Sequence, residues 1–148
     1  MIQAMTPEDA DRLIAAFTAW TDAQPTCRAL AIAGSWARGA ARPDSDLDLI
    51  VLTDDLPRWT TGPDWLETLD PWPDGLVFTD AVLETHGVAR SWRIWLGGAE
   101  LELSFADLSW ADIAPVDPGT RRVVSDGLRI LIDKDGLLDA LTRALAED

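Results

Sequence analysis

"GSWARGAARPDSDLDL", residues 34–49, sets two glycines and a serine ahead of two aspartates separated by a single leucine. The segment before it, CRALAIAG (27–34), is small and apolar and reads as a buried strand running into Gly34. SDLDLIVLTD (45–54) reads as a second strand, and SWARGAA (35–41) between them as a short helix. Strand side chains alternate, so Asp46 and Asp48 face one way while Leu47 and Leu49 face the core. Two carboxylates this close repel each other unless a cation compensates them. Mg²⁺ suits that place, because it prefers carboxylate oxygens and shares its shell with substrate phosphates. Gly34 removes a side chain where a phosphate would approach the backbone, and Ser35 adds a hydroxyl donor.

Working outward, residues 6–22 read as a helix. Thr6 is its cap, Pro7 suits its first turn, and Leu13, Ile14, Phe17 and Trp20 give it one apolar face. Residues 55–74 hold four prolines and three tryptophans and read as a loop with one short helix; Trp59, Trp65 and Trp72 are expected to line a surface or pocket. Residues 75–84 and 89–98 read as a third and a fourth strand. AELELSFAD (99–107) is a fifth, with Glu100 and Glu102 on one face. PGTRRVVSDG (118–127) reads as a short helix and LRILID (128–133) as a strand or an apolar connector. Asp135 is expected to cap a last helix over 136–146. The order predicts an α+β fold with a mixed central sheet of about five strands and helices packed on it. One domain spans 1–148, with a core over about 27–107 and a helical tail over about 108–148.

The chain of 148 residues is 47% hydrophobic and 26% charged, enough apolar material for one core. No stretch has the length and apolarity of a membrane span, and the first residues lack a signal peptide's basic start and apolar centre, so a cytoplasmic protein with no membrane partner is expected. The single Cys27 reads as a small core residue and His86 as structural or exposed. A net charge of −14 repels a phosphate backbone and argues against nucleic acid as a partner. A cationic small molecule or a basic protein surface is compatible with it.

The run Gly34-Ser35-Trp36-Ala37-Arg38-Gly39 followed by Ser45-Asp46-Leu47-Asp48-Leu49 resembles the signature of the nucleotidyltransferase superfamily that includes DNA polymerase beta. It is most similar to the minimal members and to the catalytic domains of aminoglycoside and lincosamide nucleotidyltransferases. The resemblance implies transfer of a nucleoside monophosphate from an NTP, ATP being favoured, to an acceptor hydroxyl with release of pyrophosphate. It implies that Asp46 and Asp48 hold two Mg²⁺ ions and that a third carboxylate comes from a later strand. Glu100 and Glu102 are the candidates, and Glu102 is preferred because it lies nearer the strand's middle. It further implies that Gly34 and Ser35 seat the β- and γ-phosphates and that Arg38 adds charge there; Arg90 and Arg93 are within reach of phosphate or are simply solvated on a strand face. Larger relatives carry a second, helical domain that completes the acceptor site. Here either a homodimer completes the site, or the acceptor is a partner protein, or activity has been lost. Two acceptors follow, a polycationic aminoglycoside-like molecule or, for an antitoxin-like member, a partner protein; a non-catalytic nucleotide-binding module is the third reading.

Overall fold

The computed structural model describes residues 5–41, 45–69, 78–86, 89–96 and 99–147. Six strands form one sheet: β1 (Cys27–Ala33), β2 (Leu47–Thr53), β3 (Phe78–His86), β4 (Ala89–Leu96), β5 (Ala99–Asp107) and β6 (Leu128–Asp133). Their order is β3-β4-β5-β2-β1-β6. The central β2–β5 pair is parallel and the other neighbours are antiparallel, so the sheet is mixed, as expected, with one strand more than the five read from sequence. The extra strand is β6. The tail is therefore not wholly helical: Leu128–Asp133 is an edge strand that pairs with β1, with Leu128 and Ile130 packing on one side of the sheet and, past a shift in register, Leu131 and Ile132 on the other.

Helix α1 (Pro7–Ala23) starts where its cap predicts, with Thr6 Oγ1 accepting from the Asp9 amide at 3.1 Å. Its buried face, Leu13, Phe17 and Trp20, packs on Leu30, Ile32, Leu47, Leu49, Val51, Leu101, Leu103 and Phe105 from the back of the sheet. Helix α2 (Leu56–Thr60) and a 3₁₀ turn at Asp64–Thr68 carry Trp59 and Trp65 into the same layer. These two tryptophans are core, 2% and 9% exposed, and line no surface. Their rings pack with Trp20 and Phe105 at centroid distances of 5.0–6.1 Å, which satisfies large apolar faces that an irregular loop would leave wet. Trp72 lies outside the described residues, as does the side chain of His86. Cys27 is fully buried, as expected, and burial pushes its thiol up to about 12.

The front face is only partly covered. Helices α3 (Pro118–Asp126) and α4 (Leu137–Ala146), with a 3₁₀ turn at Leu108–Ala111, close over Ala29, Ala31, Ile50, Leu52 and Ala106. Helix α4 is not capped by Asp135. Asp133 accepts from the amides of Leu138 and Asp139 at 3.1 and 2.9 Å, while Asp135 pairs with Arg28 at 2.8 and 2.9 Å. The rest of the front face carries the acids. Among the described residues, no helix is long and apolar enough to cross a membrane.

Candidate active site

The parallel register of β2 and β5 sets Leu47 beside Leu101, Asp48 beside Glu102 and Leu49 beside Leu103. The leucines turn to the back core, so both acids turn to the front. Asp46 comes one step earlier beside Glu100. The carboxyl groups crowd in two pairs, Asp46 against Glu100 and Asp48 against Glu102. Burial, then the charge and hydrogen bonding of Glu100, push Asp46 up to about 6. Burial, then the charges of Glu102 and Asp46, push Asp48 up to about 7. Both expected glutamates thus share the aspartates' face, and Glu102 is the one directly opposite Asp48.

On the far side of β5, β4 contributes Arg93, opposite Glu102 in the ladder. Its Nε donates to Glu84 Oε1 and its Nη1 to Glu100 Oε1, each at 3.0 Å. The same Nη1 lies 3.7 Å from Asp46 Oδ2. Arg93 is therefore tied into the acid cluster rather than solvated. Sequence reasoning could not find this role, because it depends on which strands neighbour which.

Gly34 ends β1 with φ +72°, and a Cβ built there would stand 2.9 Å from Asp48 Oδ2. The space its missing side chain leaves is taken by the Asp48 carboxylate, a use the sequence did not reveal. The segment after it makes a single 3₁₀ turn, Gly34–Trp36, in place of the expected longer helix. The amides of Ala37 and Arg38 both donate to the Gly34 carbonyl, at 3.0 and 3.2 Å. Gly39, also at positive φ, then turns the chain away. Ser35 is half-buried in this turn. The turn is braced from behind: Gly34 N–H donates to the Gly127 carbonyl at 3.2 Å, and Arg38 Nη1 donates to the Asp126 carbonyl at 2.7 Å. Arg38 thus lies along the C-terminal end of α3, where exposed carbonyls favour a cation. Gly127 is required for this, since a Cβ there would meet Arg38 Cγ at 2.6 Å.

A cavity of about 520 Å³ opens beside the acids, between the front of the sheet and α3. Asp48 and Glu102 form one wall, Ser91 and Ser104 lie on the sheet side, and Asp117 and Arg122 come from the α3 side. The two serine hydroxyls are 2.6 Å apart. Among the described residues, no group of three or more His, Cys, Asp or Glu stands close enough to hold a metal ion as placed. The donor chemistry nevertheless fits a hard dication: Asp48 and Glu102 stand side by side on one face, and like charges this close are what a divalent cation relieves.

The sequence model described as "nucleotidyltransferase domain" matches residues 23–92, which takes in β1, the glycine turn, β2 and β3. No curated protein sequence matches the chain. Among solved structures, the chain is similar to one described as a toxin–antitoxin with AMP-PNP, at 15% identity over 93% of this chain and 84% of that one, with a TM-score of 0.43. A nucleotidyltransferase-like protein from Exiguobacterium sibiricum matches at 15% identity over 93% of this chain and 38% of its own, with a TM-score of 0.45. The GLD-2/RNP-8 complex matches at 18% identity over 82% of this chain and 38% of its own, with a TM-score of 0.41. The chain spans well under half the length of the last two.

Proposed function

We propose that the chain, whose residues 23–92 match a nucleotidyltransferase domain, acts as a small member of that superfamily: it transfers a nucleoside monophosphate, AMP by preference, from an NTP to the hydroxyl of a small polar acceptor, releasing pyrophosphate. The observation that carries this reading is the contact of the Gly34 turn with Asp48, which is itself paired with Glu102. Gly34 and Ser35 seat the β- and γ-phosphates, with Arg38 at the back of the turn adding positive charge. Asp46, Asp48 and Glu102 would hold Mg²⁺, which when bound neutralises charge on the phosphates and lowers the acceptor's pKa. The acceptor oxygen bonds to the α-phosphorus as the bond to the pyrophosphate oxygen breaks, and Glu102 takes up the acceptor's proton.

The cavity supports a small molecule as acceptor. Its volume is in the range of small-ligand sites, and Asp48 and Glu102 would meet the reacting hydroxyl at its edge. With Asp117 on the opposite side, the lining favours an acceptor that carries amines, in line with a net charge of −14. The test is calorimetry with Mg·ATP on the wild type and on the Asp46→Asn/Asp48→Asn double variant. The expected result is loss of binding in a variant that still folds; unchanged affinity refutes the metal role. Pyrophosphate release, scanned over the four NTPs and a panel of aminated sugars, then identifies the donor and the acceptor.

A further inference from the structure

Two glutamates share the aspartates' face, Glu102 beside Asp48 in the register of β2 and β5 and Glu100 two residues before it on the same strand. Arg93 tells them apart: its Nη1 donates to Glu100 at 3.0 Å and lies at a longer 3.7 Å from Asp46 Oδ2. Its guanidinium is gripped from both sides, by Glu84 on β3 through Nε and by Glu100 on β5 through Nη1. The three side chains are only about a quarter to a third exposed, so these charge-assisted bonds are less screened than a surface pair. Glu84 holds the arginine from the β3 side. A dication approaching Glu100 would have to come up against this fixed positive charge, whereas Glu102 turns to Asp48, the more buried of the two aspartates.

Resting on the reading above, we propose that Arg93 is the positioning residue of the site: clamped between Glu84 and Glu100, it withholds Glu100 from the divalent cation and leaves Glu102 as the third carboxylate beside Asp46 and Asp48. Lysine cannot reproduce this, because one ammonium lacks the planar fork that reaches two acids from different nitrogens.

The test is Mn²⁺ calorimetry on the full chain, with near-ultraviolet circular dichroism to confirm that each variant is folded. E102Q is expected to weaken Mn²⁺ binding about tenfold or more, and E100Q to change it by less than about twofold. The distinguishing arm is R93Q/E102Q. With the clamp gone, Glu100 turns to the cation, and affinity recovers by about fivefold or more relative to E102Q alone. The triple variant R93Q/E100Q/E102Q, which also lacks the positive charge, does not recover. R93K/E102Q keeps the charge but not the fork and recovers in part. If E102Q does not fold, E102D takes its place. A recovery as large in the triple variant, or E100Q as damaging as E102Q, overturns the clamp while leaving the transferase reading intact. A wild-type chain that binds no Mn²⁺ brings down both.

Discussion

Gly34 answers to two constraints at once, a backbone at positive φ and a carboxylate where its side chain would be. The backbone conformation alone costs an ordinary residue about 1–2 kcal/mol. Gly39 sits at nearly the same φ with nothing within 4 Å of a Cβ, so it carries only that first cost. Gly34→Ala should therefore lose at least as much stability as Gly39→Ala in denaturant titrations, and only Gly34→Ala displaces Asp48. Its Mg·ATP affinity, read by calorimetry, should fall about tenfold, the consequence of moving a ligand's support. Equal affinities in the two variants would show that Asp48 has room to spare. At this scale the acids were legible, because a two-residue alternation needs only a strand. The tight approach at Gly34 was legible only as a small residue with a use: the sequence pointed to a phosphate there and gave no sign that Asp48 is also its neighbour.

At the scale of elements, caps and short helices mark where local rules hold and where they give way. Thr6 is read correctly because its cap is made within four residues. Helix α4 is misread because Gly136, at φ +72°, occupies its cap position and the loop reaches back past Asp135 to Asp133. Asp133→Ala should cost about 1 kcal/mol in thermal or chemical denaturation, the usual loss for a helix cap. Asp135→Ala breaks a surface pair with Arg28 and should cost distinctly less. The reverse ranking would return the cap to Asp135. The Ala-rich run after Gly34 has helical propensity but is held to one turn, since Trp36 Nε1 reaches the Ser45 carbonyl at 3.5 Å and the chain must enter β2. Tertiary ties of this kind are what propensity omits. The misplacement of Trp59 and Trp65 has the same origin: prolines mark an irregular path, and nothing local says which face of the sheet that path covers.

At the scale of the molecule, the pairing of β2 with β5 is the least legible feature and the most consequential, because it alone joins Asp48 to Glu102 and sets Arg93 beside them. The resulting cluster has a cost that appears in the stability of the whole fold. Asp46 and Asp48 bind protons more tightly when folded than their ordinary value of 3.8 allows. Between that value and about 6 to 7 the native state therefore holds more protons than the unfolded chain, and the stability these groups supply is lost as pH rises through their folded values. Asp135 runs the other way: the hydrogen bond from Arg28 holds it below the ordinary value, and that contribution disappears in acid. Wild-type stability should therefore be greater near pH 5 than near pH 8, by on the order of 2 kcal/mol once screening by solvent is allowed for. A net charge of −14 also disfavours the compact state at high pH, but that repulsion acts across the surface and is screened by salt. About 0.5 M NaCl should consequently recover only the surface share of the loss. Asp48→Asn should flatten the remaining slope, and Mg²⁺ should restore the wild type near pH 8 by binding the native state alone. The check is denaturant unfolding of both proteins at the two pH values, with and without NaCl and Mg²⁺. A slope that NaCl abolishes in the wild type, or that survives unchanged in Asp48→Asn, would assign it to overall charge and not to the acids around Asp48.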